Sequence, residues 1–150
     1  MGRVLIGKPV VPGEAQGLVV ASGEPLSFWG GYDYHSGEII DRRHPLSGQR
    51  VAGCILALPF TRGSSTTTAV LLEAVKAGTA PAAILTTLVD TFFALASIVA
   101  DEMYQSPIPL VALDELDFSC LHSGMRATVT PDGLVTLLEP ESASVIVQGK

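Results

Sequence analysis

The chain is poor in cysteine and in aromatic residues, and it has no long uninterrupted apolar run. Cys54 and Cys120 are its only cysteines and neither belongs to a CxxC pair, so we expect no disulfide framework and no metal site on this chain. Two thiols are also too few for an iron–sulfur cluster, which usually takes about three or four. No apolar run reaches the roughly 18 residues of a membrane-spanning helix, and Pro9, Pro12 and Gly13 interrupt the start before a signal-peptide core develops. We therefore predict a cytoplasmic protein that does not contact a membrane.

Positive charge is also scarce. The formal net charge is −6, with 9 Lys and Arg against 15 Asp and Glu. A nucleic-acid-binding protein needs a basic excess, so we expect no nucleic-acid partner. Arg42, Arg43, Arg50 and Arg62 nevertheless lie close together in the sequence. A local arginine cluster in an acidic protein suits a small anion or a partner surface.

Short apolar runs bounded by Gly and Pro alternate with two helical patterns. The runs predict strands at 4–6, 18–21, 38–40, 51–58, 82–86, 109–113, 125–130 and 134–138. Apolar spacing predicts a helix over 67–77 that ends at Gly78. A second helix over 91–104 is capped by Asp90 or Thr91, and its buried face is predicted to be Phe92, Leu95, Ala96 and Val99.

The order of these elements predicts the architecture. The centre of the chain is a βαβαβ unit, which implies parallel strands. Pro131, Asp132 and Gly133 separate the last two strands and predict a terminal hairpin. The strands left over imply a second sheet or a barrel-like layer. We therefore predict an α/β fold of layered β/β/α type, formed by a single domain over 1–150, with 139–150 as a tail or edge strand.

The stretch from Leu58 to Val75 carries the clearest chemical signal. A strand end leads through Arg62 and Gly63 into five consecutive hydroxyl residues at 64–68 and then into a helix. Ordinary helix capping accounts for such a pattern, and so does a site for a carboxylate, a phosphate or a developing alkoxide at the helix start. No GK[ST] follows Gly63, so we expect no nucleoside triphosphate.

A second polar segment spans residues 30–48. Asp33, His35, Asp41 and His44 lie within it, but their spacing matches no known metal-ligand pattern. We expect these side chains to bond the backbone of their own loop. Cys54 is predicted to be a small packed residue inside a strand rather than a ligand.

Several motifs together resemble one family. They are "EPLSFWGGYDYHSGEIIDRRHPLSGQRVAG", the "RGSS" turn and "VLLEAVKAGTAPAAIL", and with their surroundings they cover roughly residues 14–130. This combination resembles the small subunit, or swivelling domain, of the aconitase X family. The resemblance implies a hydro-lyase subunit that is active only in a heterodimer with a large subunit. The large subunit would carry the iron–sulfur cluster, and this chain would hold no cofactor.

The resemblance also assigns roles to residues. Ser64, directly after Arg62 and Gly63, matches the serine that acts as general base. Arg62 and Ser65 are implied as substrate-binding residues, and Asp41 and His44 stand at motif positions as possible support. Known activities of the family are the dehydration of cis-3-hydroxy-L-proline and of mevalonate 5-phosphate. We favour cis-3-hydroxy-L-proline, because a phosphate usually calls for several cations and Arg62 is the only one within the turn.

The chemistry of a serine base is consistent with this position. An alkoxide needs stabilisation, and a helix start together with a guanidinium supplies it once another protein excludes water. An iron Lewis acid would take the leaving hydroxyl while the serine takes the proton from carbon. An alternative of another class stays open: a non-catalytic swivel module that binds and regulates a partner, with RGSS as a helix cap.

Overall fold

The computed structural model describes residues 2–62 and 66–138. The strands in this part of the chain are β1 (Arg3–Ile6), β2 (Lys8–Val11), β3 (Ala15–Ala21), β4 (Tyr32–Asp33), β5 (Glu38–Ile39), β6 (Ile55–Ala57), β7 (Ala83–Thr86), β8 (Leu110–Ala112), β9 (Arg126–Val129) and β10 (Leu134–Leu138). The helices are α1 (Thr66–Ala77), α2 (Thr91–Tyr104) and the short α3 (Glu115–Phe118). None of the helices described is long and apolar enough to cross a membrane.

Eight strands form one sheet in the order β1-β10-β9-β3-β6-β7-β8-β2. β3, β6, β7 and β8 run parallel, and α1 and α2 supply the crossovers between β6, β7 and β8. β9 and β10 form an antiparallel hairpin, in which Val135 pairs with Val129. The predicted parallel centre and terminal hairpin are therefore confirmed.

The sheet must curl strongly, because its two outermost strands are consecutive in the chain. β1 and β2 lie at opposite ends of the strand order, yet only Gly7 separates them. The Gly7 N–H donates to the carbonyl of Gly133 at 2.9 Å. A Cβ at Gly7 would overlap Val111 and Leu113. A glycine at this corner thus lets the two edges meet, and the predicted barrel-like layer is a continuation of one sheet rather than a second sheet.

Alternation along the strands divides the core into two apolar layers. In β6, Leu56 faces the layer beneath α1 and α2, whereas Ile55 and Ala57 face the interior of the curled sheet. In β7, Ile84 and Leu85 divide in the same way. The first layer lies between sheet and helices and the second within the curl, which is the β/β/α layering that the sequence predicts.

Two local predictions need correction, and some short elements were missed. The strand predicted over 51–58 is only Ile55–Ala57, because residues 52–54 form a turn in which Gly53 has φ 72°. Cys54 therefore lies before the strand rather than inside it. β2, β4 and α3 were not predicted. β2 contains Pro9, which argues against a strand unless the strand is at an edge, and the edge is where it lies.

The buried face of α2 is shifted from the prediction. Its buried residues are Phe93, Ala96, Ser97 and Ala100, and of these only Ala96 was predicted. Leu95 is 48% exposed. α2 is apolar around most of its circumference, so apolar spacing alone does not determine which stripe faces the sheet.

Candidate functional site

The described residues of the predicted site lie at the carboxyl edge of the parallel strands. β6 ends at Ala57 and leads to Arg62, β7 ends at Thr86 and leads to Asp90, and β3 ends at Ala21. In open α/β sheets ligands bind beyond this edge, since the connections that follow the strands meet there. The arginine-containing turn, the start of α2 and the segment after β3 are thereby brought together.

Asp90 joins two of these connections. Its Oδ1 accepts from the N–H groups of Phe92 and Phe93 and so caps α2. Its Oδ2 accepts from the Thr61 N–H at 2.7 Å and from the Thr61 hydroxyl at 2.9 Å. Both Asp90 and Thr61 are buried. One carboxylate thus caps a helix and also fixes the residue that precedes Arg62.

Arg62 is anchored through its backbone and exposed through its side chain. Its N–H donates to the carbonyl of Leu26 at 3.0 Å. The preceding residue, Thr61, forms an isolated parallel β-bridge with Leu26. Within the described ranges, its guanidinium forms no hydrogen bond or ion pair. The arginine is therefore positioned by its main chain while its donors stay available to a ligand.

Asp41 and His44 build a rigid turn. Asp41 Oδ1 accepts from the Arg43 N–H at 3.0 Å, and the Asp41 carbonyl accepts from the His44 N–H at 3.0 Å. The buried His44 ring accepts at Nδ1 from the Leu46 N–H, which leaves Nε2 as the donor to the Glu24 carbonyl at 3.1 Å. Both ring nitrogens make hydrogen bonds, so His44 holds the segment that contains Glu24 against its own loop.

These turns border an open cavity of about 330 Å³. Its lining is Glu24, Pro25, Asp41, Arg43, His44 and Arg62. The structure therefore brings together three of the five residues predicted for the site, namely Arg62, Asp41 and His44. Glu24 and Arg43 were missed as site residues. Both lie in the first motif quoted above, and Arg43 is also one of the clustered arginines, but the motif alone assigned neither residue a role.

The two predicted serines, Ser64 and Ser65, lie outside the described residues, so their roles stay predictions. The helix that follows begins at Thr66, one residue before the predicted start. Thr67 is buried and the Thr68 hydroxyl donates to the Phe92 carbonyl at 3.4 Å. At least part of the hydroxyl run therefore packs α1 against the start of α2.

An apolar groove of about 240 Å³ lies next to this cavity. It is lined by Phe60, Thr61, Asp90 and neighbouring residues of the β7–α2 connection. Phe60, Leu88 and Val89 are 39%, 48% and 45% exposed. Exposed apolar side chains thus lie in a groove that includes Thr61, the residue before Arg62.

Asp33, Asp41 and His44 in the polar loop of residues 30–48 bond the loop's own backbone, as predicted, whereas the His35 ring packs against Tyr34. The N–H of His35 donates to Asp33 Oδ1 at 2.9 Å and lowers the pKa of that carboxyl, aided by the Ser36 hydroxyl. Burial raises the pKa of Tyr32, whose hydroxyl donates to the Thr79 carbonyl. Asp33 and Tyr32 therefore fix the loop rather than face the cavity.

The thiols of this chain do not suit an iron–sulfur cluster. In 2–62 and 66–138, no group of three or more His, Cys, Asp or Glu is arranged to hold a metal. Burial raises the pKa of Cys54, which disfavours the thiolate that a metal requires, and its Sγ lies 3.9 Å from the Arg50 carbonyl. The Cys120 Sγ lies 3.6 Å from the Leu116 carbonyl.

The comparisons with known proteins decide the family. A family model described as the aconitase X swivel domain matches residues 4–137. The chain belongs to this family. The crystal structure of Thermococcus kodakaraensis aconitase X (holo-form) has the same fold, with a TM-score of 0.81 and 37% sequence identity over 91% of this chain and 99% of that chain.

Curated relatives of the swivel domain have two different names. A cis-3-hydroxy-L-proline dehydratase of Pseudomonas aeruginosa is 45% identical over 113 residues, which are 75% of this chain and 20% of the relative. A phosphomevalonate dehydratase small subunit of Thermococcus onnurineus is 38% identical over 136 residues, 90% of this chain and 98% of the relative. This chain thus corresponds to a fifth of the first relative and to nearly all of the second.

Proposed function

We propose that this chain is the small, swivelling component of a hydro-lyase that dehydrates a small hydroxy acid, with Ser64 as the general base. Residues 1–150 would act as one domain. The observation that carries the proposal is the cavity at the carboxyl edge, where Arg62, Asp41 and His44 meet. These residues come from separate parts of the sequence, and capping of α1 does not require them to share a cavity.

The proposed chemistry begins with removal of a proton from carbon. Ser64 follows Arg62 by two residues, so an ionised hydroxyl would lie near an available guanidinium at the beginning of α1. A helix start and an arginine both stabilise negative charge, by about 1 kcal/mol each at partly exposed sites. Asp90 and Thr61 hold the preceding backbone, so the base would be positioned before the substrate arrives. Arg62 and Ser65 would bind the substrate.

The proposal requires a second protein. The cavity is open on this chain alone, and a serine base needs a site from which water is excluded. The exposed Phe60, Leu88 and Val89 beside Arg62 would pack against that partner. We propose that the partner is a large subunit and that any iron–sulfur cluster belongs to it, because the thiols and carboxylates described above do not suit one.

The favoured substrate is cis-3-hydroxy-L-proline. The Pseudomonas aeruginosa relative that bears this name has 45% identity. Mevalonate 5-phosphate is the second candidate, because the relatives of matching length are named phosphomevalonate dehydratase small subunits.

Reconstitution tests the proposal. This chain is co-expressed and purified with a large subunit, and the consumption of cis-3-hydroxy-L-proline and of mevalonate 5-phosphate is measured in separate assays. We expect turnover of cis-3-hydroxy-L-proline by the pair and none by this chain alone. If only mevalonate 5-phosphate is turned over, it is the substrate and the choice of cis-3-hydroxy-L-proline is wrong. If no hydroxy acid is turned over, the proposed activity is refuted and the regulatory alternative is favoured.

A further inference from the structure

The cavity at the carboxyl edge contains charges of both signs. Arg43 and Arg62 contribute two guanidiniums, and Glu24 and Asp41 contribute two carboxylates. Within residues 2–62 and 66–138, none of these four side chains forms an ion pair. Two cations and two anions therefore line one small space without neutralising each other directly.

The backbones that carry these charges are independently fixed. Arg62 is held by the Leu26 carbonyl, and Arg43 by Asp41 Oδ1. The Glu24 carbonyl accepts from His44 Nε2. Each contact fixes the main chain and leaves the Glu24, Arg43 and Arg62 side chains exposed, with no partner among residues 2–62 and 66–138. Long side chains on fixed backbones are suited to bind a ligand, since only their own rotamers need to be ordered.

We propose that Arg43 and Glu24 are specificity residues that select a zwitterionic amino acid over a phosphorylated acid. Arg43, together with Arg62, binds the carboxylate, for which a planar guanidinium fork is well matched. Glu24 binds the ammonium group. A phosphate dianion gains from the two arginines but is repelled by Glu24 and Asp41, so the cavity disfavours it. The inference rests on the proposed function and narrows its substrate class.

The charges of Glu24 and Arg43 can be removed without removing the backbone hydrogen bonds of these residues. The contacts described for both residues are made by the backbone, so Glu24→Gln and Arg43→Gln remove charge while those contacts persist. Arg42→Gln is the matched control for the cation, because Arg42 is exposed and is not part of the cavity lining. Glu14→Gln is the control for the anion, since Glu14 lies before β3, at the opposite end from the cavity.

The test compares L-proline, N-acetyl-L-proline and inorganic phosphate as competitive inhibitors of the reconstituted pair. N-acetylation removes the ammonium group and keeps the carboxylate. We expect the wild-type pair to bind L-proline at least about tenfold more tightly than the other two probes, as expected for one lost charged contact. Glu24→Gln abolishes that preference, Arg43→Gln weakens both proline compounds about tenfold, and the two controls change nothing.

Equal discrimination between L-proline and N-acetyl-L-proline in wild type and Glu24→Gln would overturn the inference. If the pair turns over no hydroxy acid, so that the proposed function itself fails, the same three probes are titrated into this chain and followed by NMR. Shifts at residues 24 and 43 with L-proline, lost in Glu24→Gln, would still support the zwitterion subsite. No shift at either residue would refute it.

Discussion

The two strand-to-helix connections at the carboxyl edge are built differently. The β7–α2 connection ends in Asp90, whose carboxylate caps α2 by accepting hydrogen bonds from two backbone N–H groups. The β6–α1 connection contains Arg62, whose side chain has no partner among the described residues, and the predicted serines. The first connection uses its carboxylate to cap its own helix, and the second contributes Arg62 to the cavity lining.

The difference shows how a site can be open and still well positioned. The second connection is held from outside, by Asp90 at Thr61 and by Leu26 at Arg62. Its side chains need not bond one another to fix the turn. Under the proposed function Asp90 would be a positioning residue, whose effect on turnover passes through the neighbouring connection.

The largest expected effect is that of removing the proposed base. Ser64→Ala should lower turnover of the reconstituted pair by roughly 10²–10⁴, the usual contribution of a positioned base. Thermal melting should change little, because loss of a cap costs about 1 kcal/mol. Ser65→Ala serves as the comparison and should cost less. Near wild-type turnover in Ser64→Ala would place the base elsewhere.

The next effect comes from Asp90. Asp90→Ala leaves buried donors of Thr61 and the α2 cap without an acceptor, so the free energy of unfolding should fall by about 2–4 kcal/mol in urea titration. Asp90→Asn keeps one oxygen for the cap but presents an amide to the Thr61 N–H. We expect it to lose only about 1–2 kcal/mol and to lower kcat about 10- to 100-fold. Wild-type kcat in Asp90→Asn, together with the expected loss of stability, would limit Asp90 to a role in stability.

Arg62→Lys should have a smaller effect. A lysine preserves the charge but not the planar fork, so KM should rise about tenfold with no change in folding. Arg42→Lys, which is exposed and outside the cavity, is the control. If both variants have wild-type KM, Arg62 does not bind the substrate.

The smallest effect concerns Cys54 and leaves catalysis unchanged. Because burial raises the pKa of its thiol, alkylation by iodoacetamide should reach half its maximal rate at a higher pH in the folded chain than in urea. The measurement uses the Cys120→Ser variant, so that Cys54 is the only thiol that can be alkylated. A folded midpoint at or below the unfolded one would show that burial does not control this thiol.

Local patterns predicted much of the fold and only part of the site. The parallel centre and the hairpin follow from short-range periodicity and turn residues, which is why they were found. β2 was missed because its pairing with β8 is visible only once the sheet curls and brings Pro9 to an edge. The prediction of the buried face of α2 was wrong because the sequence of an apolar helix does not specify which side packs against the sheet.

The residues of the cavity show the same limit. Arg62 was found from its turn, whereas Glu24 and Arg43 join it only through long-range contacts at Leu26 and His44. Asp90 was found as a candidate cap, but its bonds to Thr61 span 29 residues. Spacing within a motif cannot reveal a partner that approaches from another strand.

A double-mutant cycle tests the central claim that Asp90 acts through the connection that carries the proposed base. The kcat of the reconstituted pair is measured for wild type, Ser64→Ala, Asp90→Asn and the double variant, with each variant shown to be folded by thermal melting. The account predicts that Asp90→Asn lowers kcat in wild type but adds less than about threefold once Ser64 is absent, because coupled groups are not additive. Losses that multiply fully in the double variant would show that the two residues act independently and would contradict the account.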